Sequence, residues 1–148
     1  MNLDAKATVR RAVLGTRSAP RRLGAAAGAG LFAATGLIAL VSQVAFDVIP
    51  EALLWLFVLL GVLLAIGMAY GGGGLLASAA LVFGPVYGPL AVYTWLISTR
   101  QAAPVAFVLS FYGHGAPALW TPIAVVLVAG SYGLGALGRR AANRVETR

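Results

Sequence analysis

Between Ala52 and Tyr70 the chain reads ALLWLFVLLGVLLAIGMAY, nineteen residues without a charged side chain. As a helix rising ~1.5 Å per residue this covers roughly 28 Å, close to the ~30 Å hydrocarbon core of a bilayer. A buried helix of a soluble domain carries a polar stripe at a period of about 3.6 residues. No such stripe is present, so the segment reads as a transmembrane helix. Composition agrees, since 60% of the 148 residues are hydrophobic and only 10% are charged, far from the balance of soluble domains.

The formal net charge is +7. A nucleic-acid binder needs a contiguous basic face, whereas here the charge divides between the two ends of the chain, so no nucleic-acid partner is expected. Membrane orientation accounts for the charge instead. Without cysteine the chain has no disulfide, thiolate metal site or cysteine nucleophile.

Residues 1–22 carry Lys6, Arg10, Arg11, Arg17, Arg21 and Arg22 against the single acid Asp4. The apolar residues Leu3, Val9, Val13 and Leu14 do not gather on one helical face. A short or frayed basic segment lying on an anionic cytoplasmic leaflet is therefore expected, rather than a well-formed amphipathic helix. From Leu23 to Phe46 an Ala- and Gly-rich run grows steadily more apolar and supplies the first span. The competing reading is a cleaved secretory signal with Arg21-Arg22 as a degenerate twin-arginine pair. No clean small-x-small cleavage site follows it, and three further apolar segments do.

Asp47, Pro50 and Glu51 form an acidic connection to the second span. Gly71 to Gly74 then make a hairpin turn to the third, Leu75 to Ile97. That span contains Gly84-Pro85-Val86-Tyr87-Gly88-Pro89, where prolines 85 and 89 deprive the carbonyls of Leu81 and Pro85 of their helical donors, so a kink or a break is predicted. Residues 98–117 hold Arg100 and the lone His114, and the apolar piece from Val105 to Tyr112 is too short to cross a bilayer. It reads as an interfacial or re-entrant segment. Ala118 to Gly138 provides the fourth span, followed by Arg139, Arg140, Arg144 and Arg148.

The predicted fold class is all-α: a polytopic membrane protein built as a four-helix transmembrane bundle, both termini cytoplasmic, with a Pro-kinked or broken third helix. Its divisions are a basic arm at 1–22, a membrane domain at 23–138 and a basic tail at 139–148. The spans fall at about 23–46, 52–70, 75–97 and 118–138. Basic residues flank the first and last spans, the first connection is acidic and the third has only Arg100, so both termini are expected on the cytoplasmic side of the cell membrane. Trp55, Trp95 and Trp120 each fall near an outer boundary, where amphipathic rings are favoured.

In lipid, helices associate through small residues that permit close backbone approach. Gly24 with Gly28, Gly61 with Ala65, and Ser131 with Gly135 have the one-turn spacing. They fit either ordinary packing within the bundle or self-association.

Two candidate sites emerge. The freed carbonyls of Leu81 and Pro85, the Tyr87 hydroxyl and the break at Pro89 could line an oxygen-rich site for a solute, as broken helices do in transporters. The bland alternative is a proline kink whose carbonyls neighbouring groups satisfy. Asp47, Glu51, Arg100 and His114 all map to the outer side, where they make either a polar cluster that attracts cations and senses pH or ordinary loop solvation. No Asp, Glu, Lys, Arg or His falls within a span as drawn, which argues against proton-coupled export and against a resemblance to small multidrug transporters. Ser110 and His114 lack an orienting acid. No catalytic, cofactor or metal site is assigned.

The reading is therefore a non-enzymatic accessory or assembly subunit of a larger membrane complex, with lipid and other membrane subunits, or further copies of itself, as partners. The alternative is a homo-oligomeric pore or small-solute facilitator, holin-like or channel-like, using the broken third helix.

Overall fold

The computed structural model describes residues 3–44, 51–99 and 116–146. Within them lie five helices: α1 (Leu3–Leu14), α2 (Ser18–Val44), α3 (Glu51–Tyr70), α4 (Gly74–Thr99) and α5 (Ala116–Glu146). Four are long and apolar enough to cross a membrane, with candidate spans at Ser18–Ser42, Ala52–Tyr70, Gly74–Leu96 and Leu119–Val145. The protein is thus an all-helical molecule of the multi-pass membrane type.

Three boundaries differ from the sequence reading. The basic arm is helical where a frayed segment was expected, because α1 is rich in Ala, Leu, Lys and Arg and holds no Gly or Pro. It stops at Gly15, whose φ is +78° and whose N–H donates to the Arg11 carbonyl at 2.9 Å, a left-handed glycine cap. Second, α2 starts at Ser18 rather than Leu23 and so includes Arg21 and Arg22. Pro20 sits in its first turn, where a missing N–H costs least. Third, α5 continues through Arg139, Arg140 and Arg144, so most of the basic tail is helix. Long cationic side chains at a helix end keep their stems on apolar surface and their heads in water, which permits such extension beyond the hydrocarbon.

The glycine run between α3 and α4 forms the expected hairpin turn. Gly73 donates its N–H to Met68 at 2.8 Å and Gly72 donates to Ala69 at 3.2 Å, with φ of +85° at Gly72. These paired bonds around a left-handed residue are a Schellman cap, which satisfies the orphan carbonyls at the end of α3.

Contacts along the helices set their directions. Gly24 lies against Ala77, Gly28 against Ala80, and Gly36 against Gly88 and Val92, so α2 and α4 run parallel. Trp55 meets Trp120 with ring centroids 5.5 Å apart while Gly135 meets Ile66 and Tyr70, so α3 and α5 also run parallel to each other. Ser78 of α4 donates to the Ala65 carbonyl of α3 at 3.2 Å, and Gly61 lies against Leu81. These two helices are therefore antiparallel. The result is an up-down-up-down bundle.

The start of α2, the glycine turn and Arg139 of α5 consequently share one end. Thr16 donates its N–H to Gly72 at 2.9 Å, and the Arg139 guanidinium lies beside the space over Gly72. Trp55, Trp120 and Tyr93 gather towards the other end, around a common groove. One end of the bundle is cationic and the other aromatic.

The core is made of small side chains. Ala39, Ala65, Ala69, Ala77 and Ala124 are buried together with Leu81 and Val82, whereas α3 turns Trp55, Leu56, Leu59, Leu60, Leu63 and Leu64 outward. Bulky residues outside and small ones inside invert the soluble pattern, as expected where lipid replaces water. Among the described residues the buried hydroxyls are all bonded. Thr35 donates to Leu31 at 2.8 Å and Ser131 to Leu127.

Candidate functional site

Proline at 85 and 89 removes two donors from α4, yet the helix runs from Gly74 to Thr99 with both prolines inside it. The break offered as one of two outcomes is not present. What allows continuity is the packing around the segment. Pro85 is fully buried, and its ring lies beside the open side of Gly61 on α3.

The Leu81 carbonyl, which Pro85 leaves without its usual N–H, also faces Gly61: a Cβ on that glycine would overlap the oxygen. The Gly61 Cα–H bond therefore points at it, the geometry of the weak Cα–H···O contacts that recur at helix interfaces. Similar contacts recur elsewhere in the bundle. The Cβ position of Gly28 coincides with the Ala80 carbonyl, that of Gly84 with Gly28, that of Gly88 with Phe32 and that of Gly135 with Ile66.

Leu81, Pro85 and Pro89, spaced four residues apart, fall along one face of α4, whereas Tyr87 lies on another side of the helix. Leu81 is fully buried in the core. Tyr87 shares a hydrogen bond with Thr121 of α5 and packs on Phe83 with centroids 5.4 Å apart. Pro85 and Pro89 line an apolar groove of about 160 Å³ with Leu54, Trp55, Tyr93 and Trp120. That groove suits a hydrocarbon chain better than a polar solute, because few polar groups reach it.

Of the outer cluster, Asp47, Arg100 and His114 lie outside the described residues, as does the segment from Val105 to Tyr112. Glu51 is the first residue of α3, and its side chain too lies outside them. Among the described residues no group of three or more His, Cys, Asp and Glu could hold a metal ion.

All three small-residue pairs marked in the sequence face a neighbouring helix within the bundle. Gly24 and Gly28 face α4, Gly61 and Ala65 face α4, and Ser131 is buried while Gly135 packs on α3. Sequence reasoning missed a fourth pair, Gly84 and Gly88, which receives the backbone of α2. Its one-turn spacing is present in the sequence, where the adjoining prolines pointed to a kink or a break instead.

A different set of small residues faces outward. On α2, Ala26, Ala29, Gly30 and Ala33 are exposed, and nothing lies within 4 Å of the Cβ position of Gly30. Comparison with protein-family models, curated proteins and solved structures gives no match to this chain.

Proposed function

We propose that this chain is an accessory or assembly subunit of a larger membrane complex, held in the cell membrane with both termini cytoplasmic. The carrying observation is the outward stripe of Ala26, Gly30 and Ala33 on α2. A lipid-facing helix needs no run of small residues, and the outer face of α3 in the same molecule is mostly leucines and Trp55. Small side chains let a second helix approach closely, and such approach is the main source of association in lipid. The internal seams already use Gly24, Gly28, Gly84 and Gly88, so the outer stripe serves another chain.

The orientation rests on the cationic end, where Arg17, Arg21 and Arg22 at the start of α2 stand with Arg139 and Arg140 near the end of α5. Basic flanks are retained on the cytoplasmic side. Pro85 and Pro89 bend α4 within this arrangement, each by the clash of its ring with the carbonyl four residues earlier.

The test is gentle extraction of the chain from its own membrane, followed by native mass spectrometry. Stoichiometric foreign subunits that are lost in Gly30→Leu support the proposal. A discrete homo-oligomer, or a lone chain, overturns it, and the homo-oligomer would turn attention to the pore reading.

A further inference from the structure

At the cationic end, Arg10 and Arg11 of α1 and Arg21 of α2 line a cleft of about 370 Å³ together with Ala7, Leu14 and Gly15. Among the residues whose side chains are described, no carboxylate lines the cleft. The cleft is fixed in place from below, since Gly15 is wedged against the backbone of Gly72 and Gly73 and Thr16 is bonded to Gly72. Arg10 and Arg11 therefore stand on a helix anchored to the bundle, rather than on a free arm.

Arg21 also lines a second cavity. This is an apolar groove of about 220 Å³ between α2 and α4, walled by Ala25, Leu76, Ala77, Ala80 and Phe83. From Leu76 to Phe83 it follows α4 for about 10 Å, at ~1.5 Å per residue. The groove exists because the glycine contacts hold the two backbones close while alanines leave the outside of the seam unfilled. One arginine thus joins a cationic cleft at the bundle end to a hydrocarbon-lined channel leading into the span.

We infer that this pair of cavities is a binding site for one anionic phospholipid. The headgroup phosphate is held by Arg10, Arg11 and Arg21, and an acyl chain lies along the α2/α4 groove. Guanidinium forks match phosphate oxygens in geometry and charge, and beyond Arg21 the groove is walled by apolar side chains. A diffuse attraction of a basic arm to the leaflet requires neither the fixed cleft nor the channel. The inference holds whether or not the chain is a subunit of a larger complex.

The purified full chain in detergent would be mixed with equimolar phosphatidylglycerol and phosphatidylcholine, and the bound lipids counted by native mass spectrometry. Wild type is expected to retain the anionic lipid preferentially. Each Arg→Gln change at positions 10, 11 or 21 lowers that preference about fivefold, the equivalent of ~1 kcal/mol per basic side chain at the headgroup layer. Arg140→Gln, at the same end but outside the cleft, leaves it unchanged. Ala25→Phe fills the groove and lowers occupancy by the lipid while leaving the thermal unfolding transition in place. An unchanged preference in the triple Gln variant overturns the proposal, as does an equal loss in Arg140→Gln. Displacement of the lipid by millimolar inorganic phosphate, with retention unaffected in Ala25→Phe, would also overturn it, since the cleft would then be a free-phosphate site.

Discussion

Gly84 and Gly28 meet backbone to backbone: the space a Cβ would take on Gly84 is filled by the carbonyl of Gly28, whose own Cβ position is filled by the carbonyl of Ala80. Neither atom is the end of a flexible side chain that could move aside. A methyl group at either position must push α2 and α4 apart along the seam. Gly84→Ala and Gly28→Ala are each expected to lower stability by about 1–3 kcal/mol, the usual cost of overpacking. Gly30→Ala, on the open face of the same helix, should not lower it. Unfolding of the purified protein in mixed micelles by added dodecyl sulfate separates these outcomes.

Gly72 joins three elements, through its cap on α3, its carbonyl bond to Thr16 and its closeness to Arg139. Its φ of +85° costs a side-chain-bearing residue roughly 1–2 kcal/mol. Gly72→Ala should therefore destabilise the cationic end, and the Thr16 amide should exchange with deuterium faster than in wild type. Unchanged exchange at Thr16 would refute the coupling of turn and arm.

The hydrogen bond between Tyr87 and Thr121 links α4 to α5 in the half of the bundle nearer the aromatic groove. Hydrogen bonds between membrane helices average about 0.6 kcal/mol. A double-mutant cycle with Tyr87→Phe and Thr121→Val should return a coupling of about that size. A coupling near zero would mean that other contacts between α4 and α5 hold the two helices together here.

Because α4 is continuous and Leu81 is sealed against Gly61, replacing Pro85 and Pro89 with Ala should leave solute permeability unchanged. Proteoliposomes loaded with a small fluorescent dye provide the check. Faster leakage from wild type than from the double variant would restore the pore as the better reading.

On the lipid face, Leu63 is 57% exposed. Leu63→Arg should oppose insertion by about 2.5–3.5 kcal/mol, read as a fall in membrane-integrated protein in a translocation assay. Full integration would place position 63 against a partner or water rather than lipid.

The spans, the hairpin at Gly71 to Gly74 and the three small-residue pairs were legible because each rests on a local rule. Hydrocarbon demands about twenty apolar residues, a left-handed cap demands glycine, and close helix approach demands small side chains one turn apart. The role of Gly84 and Gly88 was not legible from local rules. The same six residues that spell a helix break beside two prolines also spell a contact pair, and only the presence of α2 and Gly61 against them decides for the contact. Likewise the charges of Arg10, Arg11 and Arg21 were plain in the sequence, while their convergence on one cleft required Gly15 to turn α1 back onto the α3/α4 turn. Sequence alone determined which segments are long and apolar enough to cross a bilayer, since that is a property of each segment's own solvation. Tertiary structure decided which small and charged residues meet, since helices in lipid find one another through shape and not through a hydrophobic pattern that the sequence displays.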